Sequence, residues 1–367
     1  MNFGLLCDDP AAGPLLNALQ RHPDHHLTLA VLVGPGSSAL VSSLSGVKCV
    51  DQWEELLASR DVDAVIVGGT APDVWTGAKQ LASAEIPLLI FPNLAAGETV
   101  LYELSLIRDD SHVVLFPAWS QHFCAAAQQL PADRSQITFV EWQRSVPTGA
   151  ANGLTNRVIE DTLLPDADWL RCFCGDVDQV TSLRLGESPS GVATQTVKLS
   201  GRTFPETTWN IKSSDAAVSR ITFQTGAGPI HLDRNAIPDG ASEPVAEHQL
   251  LDAFAQTVAG DTNDDGWGRV LKALEIVDAS RRSLTRRRTI DLHHEQLSER
   301  AIFKTQMAAM GCGVLLLTLT LMLGYLALAS VVPLSGWMLK LLRVLIFAPL
   351  FGFLVMQLLL PLTRPAK

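Results

Sequence analysis

Hydrophobic and polar positions along this chain fall into three successive textures. Through the first third, short apolar runs alternate with stretches of helical period. Residues 3–6 read as a strand, and Leu15, Leu16 and Leu19 begin a helix. Strands follow at 27–32 (closed by Gly34-Pro35-Gly36), 63–67, 87–91 and 112–116, with helices at 53–57, 74–81 and 95–107 between them. Repeated βαβ units of this length predict a parallel, doubly wound sheet. From Gln136 the strands lengthen and alternate, at 137–144, 179–185, 193–199, 207–212 and 218–224. That pattern predicts a mostly antiparallel second sheet, with helices at 159–173, 247–259 and 267–284 packed on it.

The third texture is apolar throughout. Residues 307–332 contain no charged side chain. As a helix they would be about 39 Å long, against a hydrocarbon core of roughly 30 Å. Pro333-Leu334-Ser335-Gly336 reads as a turn, and a second apolar run covers 344–362. The expectation is a transmembrane helical hairpin over 301–367, with a buried hairpin of a helical domain as the alternative. Basic residues flank it on one side: Arg281, Arg282, Arg286, Arg287, Arg288, Arg300 and Lys304 before, Arg364 and Lys367 after. That excess places both flanks and the folded domains in the cytoplasm, with Lys340 and Arg343 opposing it. The arginine run could meet anionic lipid, or simply be a solvated end beside a strand at 289–292.

The predicted fold class is therefore α/β. A Rossmann-like doubly wound domain occupies 1–120, and an α+β domain with a mostly antiparallel sheet occupies 121–300, ahead of the hairpin. Composition narrows the chemistry further. The 367 residues carry a net charge of −10, which leaves no global basic footprint for nucleic acid. Mean hydropathy is +0.20, the excess lying beyond Met307. Six cysteines are scattered without a C-x-x-C pair, which points to a reducing compartment and away from disulfides or a zinc site. The apolar start ends at Cys7 without a basic leader, so it does not read as a signal peptide.

The turn after the first strand carries the sharpest chemical signal. A dinucleotide-binding turn reads Gly-x-Gly-x-x-Gly, because glycines permit close approach to a pyrophosphate seated on the helix N-terminus. Here the turn reads Cys7-Asp8-Asp9-Pro10-Ala11-Ala12. Only Ala12 is a tolerable substitute, and two carboxylates stand where phosphates would lie. The second strand ends at Val33-Gly34 without the acid that would bind a ribose hydroxyl. His22, His25 and His26 share a polar loop with no second ligand cluster in sequence, so no metal site is expected. Cys172 and Cys174 read as packing residues of a buried helix. Trp119, Trp142, Trp169 and Trp209 fit either a sugar-stacking cleft or the core.

Four ordered segments are similar to the glucose-fructose oxidoreductase / inositol dehydrogenase / MocA family of NAD(P)-dependent sugar oxidoreductases. They are the Val50-to-Val67 block, Ile86 to Ala95, Asp161 to Gly175, and the closing helix from Asp265 to Ser283. The likeness reaches about Leu292 and stops before the tail. It implies cofactor contacts at Cys7, Asp9, Ala12 and Asn93, and catalytic positions in two blocks. The family's Glu-Lys-Pro falls on Phe91-Pro92-Asn93, so Pro92 replaces the lysine. In the Asp-x-Gly-x-His-x-x-Asp block, Asp161 and Asp168 match, while Leu163 replaces glycine and Pro165 replaces the catalytic histidine. Asp161 could accept a proton, or serve as a cap or structural carboxylate.

The function expected from these residues is a membrane-anchored member of this superfamily with a degenerate redox site. It would bind, scaffold or regulate within sugar metabolism, with no cofactor, and with the bilayer, a small sugar-type ligand and a second copy as candidate partners. The alternative is an active NAD(P)-dependent sugar oxidoreductase with an atypical phosphate loop.

Overall fold

The computed structural model describes residues 1–34, 40–41, 44, 46–95, 97–123, 136–147, 153–188, 191–233, 245–260, 266–292, 317–324 and 337. The chain divides into two compact units, Met1–His293 and His294–Lys367. Both sheets lie in the first.

Six strands form the first sheet: β1 (Asn2–Cys7), β2 (His26–Leu32), β3 (Lys48–Val50), β4 (Ala64–Gly68), β5 (Leu88–Ile90) and β6 (Leu115–Pro117). Their order is β3-β2-β1-β4-β5-β6, and every pairing is parallel. All five residues of β4 are buried, as a strand covered on both faces requires. The covering helices are α1 (Gly13–Arg21), α2 (Glu54–Ala58), α3 (Pro72–Ser83) and α4 (Glu98–Ser111). In α1 the buried set Leu15, Leu16, Ala18 and Leu19 forms one helical stripe. The strand order reverses between β1 and β4, and ligands of open α/β sheets bind at such a switch point.

The second sheet contains β7 (Ile137–Pro147), β8 (Gln179–Ser188), β9 (Gly191–Ser200), β10 (Glu206–Ser214), β11 (Val218–Thr225), β12 (Gly228–Asp233) and β13 (Ile290–Asp291). Its order is β12-β11-β7-β10-β9-β8-β13. The pair β7–β10 is parallel and the others are antiparallel, so the sheet is mixed. Helix α5 (Asn156–Cys174) starts at Thr155, whose side chain accepts from Val158 N at 3.3 Å. Helices α6 (Val245–Val258) and α7 (Gly266–Arg286) complete the unit. Trp142, Trp169, Trp209 and Trp267 are fully buried, and the Trp142 and Trp169 rings meet edge-on at 5.4 Å. These tryptophans belong to the core, so Trp142, Trp169 and Trp209 have no face to offer a sugar.

The membrane hairpin needs correcting. Among the described residues no helix is long and apolar enough to cross a membrane. The described residues of the tail include a helical piece at 317–324. The remainder of the expected spans, 307–332 and 344–362, lies outside the described residues. The transmembrane component of the fold class and the multi-pass cytoplasm-facing location are withdrawn. Several arginines of the supposed lipid-facing run also have protein partners. Arg281 bridges Glu98 at 2.6 Å and Glu160 at 2.9 Å, and Arg282 pairs with Asp278 at 2.8 Å.

Candidate functional site

At the switch point the β1–α1 turn is closed by its own carboxylates. A 3₁₀ turn, Pro10–Ala12, precedes α1, and Asp9 caps it by accepting from Ala11 N at 2.9 Å. The amide donors of this turn can be traced one by one. Asp8 N donates to Gly68 O at 3.0 Å, Asp9 N to Cys7 Sγ at 3.3 Å, and Ala12 N to Asp9 O at 3.1 Å. Gly13 N donates to Pro10 O, and Pro10 and Pro14 have no N–H to give. From Asp8 to Pro14 each donor is therefore consumed or missing. Burial, with Asp9 and Asp8 adding to it against a compensating backbone contact to Asp9, pushes the Cys7 thiol up to about 12.

Asp8 itself is buried and reaches across to the loop after β4. Its carboxylate accepts from Thr70 N at 2.6 Å and Thr70 Oγ1 at 3.2 Å. Gly69 lets it fit: φ there is +146°, and an added Cβ would stand 1.5 Å from Asp8 Oδ1. At Gly34, just beyond β2, a Cβ would stand 2.7 Å from Asp8 Oδ2. The side chain occupies the crevice where the β1, β2 and β4 ends converge.

The two catalytic blocks of the resemblance do come together. Asn93 Nδ2 donates to Gly69 O at 3.0 Å, as Trp75 Nε1 does at 3.0 Å, and Ala95 N donates to Asn93 Oδ1 at 3.0 Å. Leu94 N donates to Asp161 Oδ1 at 2.9 Å, tying the loop after β5 to α5. Asp161 also meets Arg157 at 3.4 Å. Pro92 and Pro165 supply no proton-transfer group to this junction, and the Pro165 carbonyl accepts from Gln121 Nε2 at 2.7 Å. Asp161 therefore acts as a loop-fixing acceptor. Asp168, two turns further along α5, is fully buried and lies 2.8 Å from His122 Nε2.

Three groupings were not visible in sequence. Asp166, fully buried, takes a two-pronged contact from Arg144 and accepts from Trp209 Nε1 at 2.9 Å. Burial alone would lower Arg144, but the Asp166 charge and hydrogen bonds leave it raised. His22 and His25 stack at 4.2 Å, and each places Nε2 3.3 Å from Asp252 Oδ1 on α6. Finally, a cavity of about 220 Å³ is lined by Phe116, Trp119, His122, Gln256, Thr257 and Arg269. The sequence hinted at one of these, since His22 and His25 fall in one polar loop, but it gave no sign of Asp252 on α6.

No protein-family profile matches the chain. No curated protein matches it either. Solved structures do. A myo-inositol dehydrogenase from Corynebacterium glutamicum is 14% identical, covers 80% of this chain and 99% of its own, and superposes with a TM-score of 0.64. A myo-inositol 2-dehydrogenase from Lactobacillus plantarum gives 11% identity, 80% and 99% coverage, and a TM-score of 0.65. An oxidoreductase from Agrobacterium radiobacter in complex with NAD+, L-tartaric acid and magnesium gives 14% identity, 79% and 98% coverage, and 0.63. The fold is thus that of the glucose-fructose oxidoreductase / inositol dehydrogenase / MocA type of oxidoreductase. At these identities the likeness carries the fold. Activity has to be argued from the site.

Proposed function

We propose that this chain uses the oxidoreductase scaffold as a binding or regulatory protein and does not transfer hydride with a nicotinamide cofactor. The observation that carries the reading is the filled phosphate subsite. A pyrophosphate needs free amide donors at a helix N-terminus. Here Asp9 takes the amide of Ala11, and the buried Asp8 carboxylate fills the crevice against Gly69. A dinucleotide does not fit these residues, because two carboxylates would face its phosphates at close range. Pro92 and Pro165, at the positions matching the family's lysine and histidine, can take no proton from a substrate hydroxyl.

The structural neighbours favour a second reading, an active NAD(P)-dependent oxidoreductase with an atypical phosphate loop. One of them was solved with NAD+. Calorimetric titration of the full chain with NADH and NADPH separates the two. Repulsion and lost donors together should weaken binding roughly a hundredfold or more relative to a micromolar site. No heat of binding is expected at tens of micromolar cofactor, and a micromolar Kd would replace the first reading with the second.

A further inference from the structure

We propose that His122, Asp168 and Cys172 form a binding site for a borderline divalent cation of the zinc class, independent of the dinucleotide crevice. Asp168 and Cys172 are four residues apart on α5, so they share one face of the helix. His122 comes from the 3₁₀ turn Ser120–Phe123 that follows β6. One donor atom from each residue lies within 4.8 Å of the other two, and His122 Nε2 is 2.8 Å from Asp168 Oδ2.

The second observation is the state of the carboxylate. Asp168 is fully buried, and apart from the His122 Nε2 contact at 2.8 Å neither of its oxygens meets a hydrogen-bond donor among the described residues. One imidazole leaves the second buried carboxylate oxygen without a donor, and a coordinated cation satisfies it directly. Nitrogen, oxygen and sulfur donors together suit zinc better than calcium or magnesium, which take oxygen. Arg269 NH1 lies 3.6 Å from Cys172 Sγ, where a donated hydrogen bond would steady a thiolate. Two anionic ligands, Asp168 and the thiolate, offset the charge that Arg269 adds against a cation. Metal binding would release the Cys172 thiol proton to solvent. Three protein ligands leave a fourth position, and His122 and Arg269 both line the adjoining cavity.

The cluster His22, His25 and Asp252 has comparable spacing but a different hydrogen-bond state. His22 Nδ1 accepts from Asp24 N at 3.2 Å, which leaves the ring proton on Nε2 and removes that lone pair from a metal. It provides the natural control.

The test uses the purified full chain, stripped with a chelator and titrated with Zn2+ against a chromophoric chelator. Co2+ loading then reports sulfur ligation. One Zn2+ per chain is expected, together with a thiolate-to-cobalt charge-transfer band. Cys172→Ser, at a position with a solvent-exposed edge, should abolish the band and weaken Zn2+ on the order of a hundredfold or more. His122→Gln should also weaken it, and His25→Gln should not. The proposal is overturned if the wild type binds no Zn2+, if both site variants bind as the wild type does, or if His25→Gln removes the metal. None of these readouts depends on nicotinamide binding, so the fate of the functional reading above is decided separately.

Discussion

Replacing Asp8 with alanine tests whether the switch-point carboxylate is a brace. In the folded chain Asp8 is buried and holds Thr70 through a backbone N–H at 2.6 Å and a hydroxyl at 3.2 Å. Alanine leaves the Thr70 amide without its acceptor and opens a void against Gly69. A charge-assisted bond contributes about 1.5–3 kcal/mol and the hydroxyl bond about 1 kcal/mol, so a loss of roughly 3 kcal/mol is expected. For a unit of this size that corresponds to a fall in Tm of roughly 6–12 °C. Asn keeps the shape, can accept from the amide and donate to the hydroxyl, and should cost about 1 kcal/mol or less. Thermal melts of Asp8→Ala, Asp8→Asn and Thr70→Ala, closed into a double-mutant cycle, measure the terms. A neutral or stabilising Asp8→Ala would refute the reasoning. The carboxylate would then be held at a cost to the fold, as residues kept for a ligand often are.

Three further outcomes follow from the same geometry. Gly69→Ala combines φ of +146° with a Cβ 1.5 Å from Asp8 Oδ1, so it should destabilise by about 3 kcal/mol or more, and Asp8→Ala in the same chain should relieve part of that loss in urea denaturation. Arg144→Ala removes the guanidinium paired with the fully buried Asp166, and about 3–5 kcal/mol should be lost by thermal melt, with Arg144→Lys rescuing little. His25 is lowered by burial, then by His22 and the N-terminal amine, with Asp252 opposing, so its neutral form is the one the fold favours. Its contribution is therefore fully present above the unfolded pKa of about 6.5 and is lost as pH falls below that value toward the folded pKa. Urea midpoints from pH 8 to 5 should drop accordingly, and His25→Gln should flatten the slope.

The parallel sheet was legible because its strands are buried on both faces. β4 is unbroken apolar sequence, and α1 carries its buried residues at helical spacing. β3 was missed because its three residues are exposed or half-buried and show neither signal. The parallel direction of β7 against β10 could not be read, since pairing across 67 residues leaves no local trace. The loss of the glycine turn was plain in sequence, whereas the use of the replacing residues was not. Asp8 meets Thr70, 62 positions away, and His122 meets Asp168 across 46. In the tail, apolar length is necessary for a span but not sufficient, and among the described residues no helix is long and apolar enough to make one.

The carboxylates of the β1–α1 turn also bear on the electrostatics of the switch point. A helix N-terminus aimed at the carboxyl edge of a sheet carries partial positive charge and unpaired amides, and it is stabilised by an anion. In a dinucleotide-binding chain the ligand supplies that anion. Here Asp9 caps the 3₁₀ turn that leads into α1, and Asp8 supplies a second carboxylate to the loop after β4. The requirement for negative charge at the switch point is unchanged, but covalent attachment makes its satisfaction independent of any cofactor concentration. Glycine stands where that carboxylate presses, at Gly69 and Gly34. Glycine at these two loop positions, outside the β1–α1 turn, is what lets the Asp8 carboxylate sit at the switch point of the parallel sheet.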